Sequence, residues 1–322
     1  MRYSYFPGCS LEKNAHAYHQ STLAIAKPLG LELVEIEDWN CCGATEYISL
    51  NLMAAYALVA RNLAIAARTD GLKTLVAPCS ACYLNLTKVD TTMGEYPALA
   101  KRVNTALAEA ELAYTPGSVK PRHLLDVIYN DVGCEALAAK VTRPLSGLRI
   151  APYYGCFIAR PGYVKVDDTE FPTTLDHLLK ALGAEVVDYP MKATCCGGHM
   201  TQISEATGFD MIRRLVKGAA DREADLIVTI CPMCQLNLDA FQGAMNRHFS
   251  TAYHIPVLYF TQMIGLALGL SMRELGIGEE LVDSRPALSR IGSEMAAAAA
   301  AEPRRARKDD KTLPMPAPLK QA

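Results

Sequence analysis

The chain has 322 residues, half of them hydrophobic, enough to bury one large core or two modest ones. A formal net charge of −2 and a pI near 6.4 give no global pull toward nucleic acid or an anionic membrane. Met1-Arg2-Tyr3-Ser4 runs straight into a strand-like segment with no secretory signal. The longest apolar stretch, 255–270, is short for a span and contains Gln262, so a cytoplasmic protein without direct membrane insertion is expected.

In chain order, residues 2–6 read as a strand ending at Gly8-Cys9, followed by an amphipathic helix over 16–29 and a strand over 31–36. Cys41-Cys42-Gly43 comes next, then a long Ala-rich helix over 46–68. A strand over 74–77 delivers Cys79, and a helix is expected to begin within Cys79-Ser80-Ala81-Cys82. Residues 119–130 read as a further strand leading into a helix. The second half repeats the order, with strands over 148–153, 185–188 and 226–230, and 255–266 answering 119–130. Beyond Ser284 the text turns Ala-rich, then basic and Pro-rich, which predicts a disordered tail over 285–322.

The repeat is visible in the residues. Phe6-Pro7-Gly8-Cys9 answers Tyr153-Tyr154-Gly155-Cys156, and Cys79-x-x-Cys82-Tyr83-Leu84-Asn85-Leu86 answers Cys231-x-x-Cys234-Gln235-Leu236-Asn237-Leu238. The offsets stay near-constant at about 150 residues, the mark of a duplicated unit. The predicted fold is α/β: two pseudo-symmetric domains, 1–145 and 146–284, each with a parallel sheet flanked by helices. In such sheets ligands bind beyond the carboxyl ends of the strands, where Cys9, Cys79, Cys156 and Cys231 fall.

Ten of the eleven cysteines follow this duplication: Cys9, Cys41, Cys42, Cys79 and Cys82 in the first half, Cys156, Cys195, Cys196, Cys231 and Cys234 in the second. Without an export signal they read as metal-binding or catalytic rather than as a disulfide framework. Zinc uses four thiolates and leaves one over in each half; it stays open as an alternative for one site. A redox dithiol would use the C-x-x-C and leave the adjacent pair unexplained. An opened, asymmetric iron–sulfur cluster uses all five. The eleventh, Cys134, reads as a buried structural thiol.

The doubled Cys…Cys-Cys-Gly…Cys-x-x-Cys pattern resembles the CCG-domain family, whose best-known member is the B subunit of heterodisulfide reductase. The resemblance covers nearly everything except the tail and looks closer to the bacterial heterodisulfide reductase-like members. It implies that each set of five cysteines holds one noncubane [4Fe-4S] cluster. It also implies that a disulfide is cleaved or formed between the two, one sulfur at each, in a catalytic oxidoreductase subunit acting on a thiol, disulfide, persulfide or carrier-bound sulfur. The partners it implies are a ferredoxin-like C subunit and a flavin-containing A subunit. This fits the lack of a G-x-G-x-x-G after a strand, of a P-loop and of a ferredoxin cysteine run. Two other readings remain: an electron-relay subunit of a quinone- or hydroxy acid-linked dehydrogenase, and a structural zinc or scaffold protein.

Among the other residues, His199 directly follows Cys195-Cys196-Gly197-Gly198 and is the candidate catalytic side chain, donating a hydrogen bond to cluster or substrate sulfur. A loop histidine with a backbone partner is the plainer alternative. His16 and His19, one helical turn apart, are expected at a helix surface or in a satisfied, partly buried pair. Lys13 and Lys192 are expected to be solvated, with attraction of an anionic substrate as the sharper reading. Trp39 is expected to pack beneath the loop carrying Cys41 and Cys42.

Overall fold

The computed structural model describes residues 1–44, 47–69, 71–164 and 166–292. It contains two four-stranded parallel sheets with the same connectivity. Strands β1 (Arg2–Tyr5), β2 (Glu32–Glu35), β3 (Thr74–Ala77) and β4 (Lys120–His123) are ordered β2-β1-β3-β4. Strands β5 (Arg149–Tyr153), β6 (Glu185–Val186), β7 (Leu226–Thr229) and β8 (Val257–Tyr259) are ordered β6-β5-β7-β8. The central strands are short apolar runs covered on both faces: all four residues of β7 are buried, as expected of parallel strands between helical layers. The paired segments 119–130 and 255–266 do supply equivalent outer strands, with Ala77 opposite His123 and Thr229 opposite Tyr259.

The expected long helix over 46–68 is interrupted. Its described part splits into Tyr47–Leu50 and Leu52–Arg68, because Asn51 is extended at φ −155° and its side chain accepts the Ala54 amide. Asparagine competes with the helix by capping it. Past Ser284 a short helix, Arg285–Leu288, buries Ala287 and Leu288, and the Gly292 amide reaches Ser146 O at 2.8 Å. Residues 293–322, which carry most of the expected tail, lie outside the described residues.

The two halves do not have independent interiors. The larger core cluster runs from Tyr3, Phe6 and Tyr18 through Leu75 and Val76 to Leu178, Tyr259 and Ile264, crossing between halves. Helix His16–Ala26 of the first half lies against helix Phe260–Ala267 of the second. There Ser21 Oγ and Thr261 Oγ1 are 2.7 Å apart, and the Tyr18 and Tyr259 rings stack at 4.2 Å and 5°. A smaller cluster around Ile227, Phe209 and Val216 belongs to the second half alone.

Candidate metal centres

In each sheet the chain leaves the first strand toward one edge and returns to build the other, so the switch point lies between β1 and β3 and between β5 and β7. Loops leaving the carboxyl ends of two such strands part there and open a crevice. Cys9 and Cys79 follow β1 and β3; Cys156 and Cys231 follow β5 and β7. Cys79 and Cys231 are the N-cap residues of helices Ser80–Glu95 and Pro232–Ala240, which carry Cys82 and Cys234 in their first turns. The two CCG loops bring in the remaining pairs, with Gly43 and Gly197 at positive φ.

Glycine is required just before the first cysteine of each half. Gly8 has φ 77° and ψ 159°, a region essentially closed to other residues. A Cβ there would lie 2.9 Å from Cys82 Sγ, and one at Gly155 (φ 73°) would lie 2.9 Å from Cys234 Sγ. Both loops therefore pass against a sulfur as closely as the chain allows. Asn85 and Asn237 are a second matched device. Asn85 Nδ2 donates to Cys42 O at 3.0 Å, and Asn237 Nδ2 donates to Gly198 O at 2.6 Å and Cys196 O at 3.4 Å. Each ties the CCG loop to the helix that carries the C-x-x-C.

The thiols are gathered into contact. Cys9 and Cys41 Sγ lie 3.2 Å apart, and Cys42 and Cys82 Sγ 3.3 Å. Gly43 and Gly197 amides each donate to the first sulfur of the CC pair at 3.4 Å. Thiols so crowded cannot all ionise. Hydrogen bonds from Cys42 and Cys9 draw Cys41 down to about 2, while the bond to Cys41 drives Cys9 up. The second half repeats the alternation: Cys156 draws Cys195 down to about 6 and is itself driven up by that bond. A bound cation would release those protons, since the thiolate is the ligand.

The two sets adjoin. Cys231 of the second half, with Cys82 of its own, draws the Cys79 thiol down, and Cys79 in turn helps to push Cys231 up to about 12. Buried polar groups hold this junction. Tyr18 Oη donates to Pro78 O at 2.8 Å and to Ile230 O at 3.2 Å, the carbonyls immediately preceding Cys79 and Cys231. Ser80 Oγ lies 3.4 Å from both Ile230 O and His123 Nε2. Complete burial pushes the His123 imidazole down to about 4, so it stays neutral there.

The surroundings of the two sets differ. All five thiols of the second half line one cavity of about 380 Å³, with Tyr154, Phe157, Met200, Ile203, Met233 and His199 among its other walls. In the first half Cys9 and Cys41 are exposed and open onto a cleft of about 520 Å³ bordered by Glu12, Glu35, Glu37, Asp38 and Trp39.

His199 therefore stands where its sequence position placed it, in the same cavity as the second cysteine set, as the N-cap residue of helix Met200–Ile203. His16 and His19 are not a joint site: His16 is exposed, while His19 stacks on Tyr5 and lies 3.1 Å from its hydroxyl. Lys13 is solvated as expected. Lys192 is not; it is buried, ion-paired to Asp176 at 3.0 Å and set over the Phe171 ring. Its carbonyl accepts the Tyr154 and Gly155 amides, so this residue anchors the loop to Cys156. Trp39 packs edge-on against Phe6 at 5.3 Å and donates to Glu35 at 2.9 Å. Cys134 is half-buried at the start of a short helix, its thiol pushed up by burial. Gly8, Gly155, Asn85 and Asn237 carried no role in the sequence reading, although each stands at the same place in both copies of the repeat.

The chemistry of these donor sets suits a soft, thiophilic metal group: each half brings five cysteines to one edge of its sheet, the glycines leave room beside them, and backbone amides point at sulfur. The thiols stand in pairs; among the described residues no three His, Cys, Asp or Glu side chains already form a group that could hold a metal ion. The sequence matches the cysteine-rich CCG domain over residues 3–87 and again over 150–239. The chain belongs to this family. It is 35% identical over 283 residues to the 8-methylmenaquinol:fumarate reductase membrane anchor subunit of Wolinella succinogenes, spanning 88% of this chain and 97% of that one. It is 31% identical over 292 residues to the B subunit of the ferredoxin/F(420)H(2)-dependent CoB-CoM heterodisulfide reductase of Methanosarcina acetivorans, spanning 89% and 96%. A hypothetical protein from Helicobacter pylori has a similar fold, with a TM-score of 0.71 at 15% identity; it covers 88% of this chain, which spans about half (52%) of that longer chain. Together the domain and these relatives point to an iron–sulfur subunit of an oxidoreductase complex. Among the described residues no helix is long and apolar enough to cross a membrane.

Proposed function

We propose that this chain is the catalytic subunit of a heterodisulfide reductase-like complex, holding one noncubane [4Fe-4S] cluster on Cys9, Cys41, Cys42, Cys79 and Cys82 and another on Cys156, Cys195, Cys196, Cys231 and Cys234. The observation behind this reading is the bridge from Tyr18 Oη to both Pro78 O and Ile230 O, the carbonyls immediately before Cys79 and Cys231, which keeps the two donor sets side by side across the pseudo-symmetric junction. Cleaving a disulfide takes two electrons and two protons and yields two thiols. When bound, the two clusters supply one electron each and a soft iron for each sulfur.

The chain's own residues do the rest. Tyr18, Ser80 and His123 fix the junction so that the two sulfur positions stay in register. His199, in the cavity wall, holds the proton for the thiolate released at the second set, and water at the open first-half cleft supplies the other; the reverse reaction returns each there. A ferredoxin-like C subunit and a flavin-containing A subunit exchange the electrons on the cytoplasmic side. The test is elemental and spectroscopic: about eight irons per chain with matching sulfide, and a new paramagnetic signal when a candidate thiol is added to the oxidised protein. Stoichiometric zinc without iron would overturn the assignment.

The similarity to the fumarate reductase subunit of Wolinella succinogenes favours one further reading: an electron-relay subunit of a quinol-linked dehydrogenase. That reading holds if the clusters are reduced by a quinol analogue in the assembled complex while every thiol tried leaves the spectrum unchanged.

A further inference from the structure

The cavity beside the second cysteine set is shaped by more than its thiols. Cys231, Cys234 and Cys196 are nearly fully buried, whereas Ile203 is 80% exposed, so the cavity has a sulfur floor and an apolar mouth. Between them stand Phe157, Met200 and Met233, two of them thioethers, which adapt to and attract soft, non-polar groups. Ser49 of the first half also lines it, so the mouth is built by both halves. Among the described residues no Lys, Arg, Asp or Glu borders the space. The cavity of about 380 Å³ spans both the sulfur floor and this apolar mouth, and the arm's share is the outer part bounded by Phe157, Met200, Ile203 and Met233.

The counterpart in the first half is acidic. Glu12, Glu35, Glu37 and Asp38 border its cleft; Arg61, the cation bonded there, is held by the Asp38 carboxylate and carbonyl. Apart from His199, the described residues lining the cavity offer an arm ending in carboxylate, sulfonate or phosphate no counter-charge, and the cleft meets it with like charge.

We propose that the second-half cavity is the subsite for an uncharged, apolar arm carried on one sulfur of the substrate, and that the pair of sites selects against anionic thiols. Specificity here follows from burial and repulsion together. The proposal rests on the sulfur-chemistry reading above only for what the arm is attached to; the apolar wall itself is independent of it.

The test uses the cluster-containing full-length protein and calorimetric titration with butanethiol, hexanethiol and octanethiol, the ω-mercapto acids of the same lengths, and octanol. Affinity is expected to rise about fourfold per methylene, and the mercapto acids to bind more weakly than the thiols. Ile203→Glu, at an exposed position that leaves folding and iron content intact, is expected to weaken octanethiol about tenfold. Phe157→Ala should lower the slope with chain length. Equal affinity for octanethiol and mercaptooctanoate, or no dependence on chain length, overturns the subsite. Octanol binding that Ile203→Glu weakens, with no thiol giving a paramagnetic signal, upholds the subsite while removing the sulfur chemistry. A thiol signal without any chain-length dependence does the reverse.

Discussion

The two halves carry the same five-cysteine frame and give it different surroundings. In each, a strand, a glycine and a cysteine are followed by a CCG loop and a helix-capping C-x-x-C, and the paired positions are bonded alike: Gly43 with Gly197, Asn85 with Asn237. What differs is the side chains between the frame and solvent. Glu35, Glu37 and Asp38 crowd the first site, while Phe157, Met200 and Met233 line the second. On the proposed reading, duplication keeps the cysteines because each is a donor and frees the side chains around them, where only the substrate imposes a demand. Two near-identical centres with unlike mouths then suit a substrate whose two ends differ.

The largest way to break the equivalence is at the glycines. Gly8→Ala places a methyl 2.9 Å from Cys82 Sγ in a backbone region that only glycine adopts, and Gly155→Ala does the same against Cys234. The strain alone is on the order of 2 kcal/mol; expulsion of a ligand sulfur adds the loss of that cluster. Each variant should lose about half its iron and one of two paramagnetic species, with the other half unaffected. Iron analysis with thermal unfolding checks this, and full iron retention in either variant would show that the close approach does not shape the site.

Much of this frame was readable beforehand. The spacing of the cysteines, the parallel strand–helix alternation and the pairing of 119–130 with 255–266 all follow from short-range pattern and repetition. Side-chain placement across the junction was not readable. Lys192 looks like a solvated charge in sequence, yet Asp176 and the Tyr154 and Phe171 rings take it into the interior. Tyr18 sits in an ordinary amphipathic helix, and nothing local predicts that its hydroxyl reaches carbonyls from both halves. Asn85 and Asn237 were in view as matched letters, but their role depends on where the CCG loop folds back. Repetition of a polar residue three positions after the second cysteine of each C-x-x-C was the available signal.

The junction itself sharpens the comparison at intermediate scale. Tyr18→Phe removes the one hydroxyl that bonds Pro78 O and Ile230 O together while leaving the ring stacked on Tyr259. Losing a buried bond of this kind costs about 1–3 kcal/mol, read as a lower urea midpoint. Because Ser80 Oγ still reaches Ile230 O, both clusters should remain bound, and the change should appear in the magnetic interaction between them. A variant with lower stability and unaltered interaction would make Tyr18 a packing residue only.

The smallest effect separates the two asparagines. Asn85→Ala removes one bond to the CCG loop, at 3.0 Å, whereas Asn237→Ala removes contacts to both Gly198 O and Cys196 O. With a typical net bond worth about 1 kcal/mol, Asn237→Ala should be the more destabilising by about that amount. The second-half loop is the one with a further glycine, Gly198, at positive φ, so it has more backbone freedom to lose and more need of a tie. Equal losses in the two variants would mean that the loops are held by their thiols alone, and that the extra glycine, not the asparagine, sets how the second loop turns into its cavity.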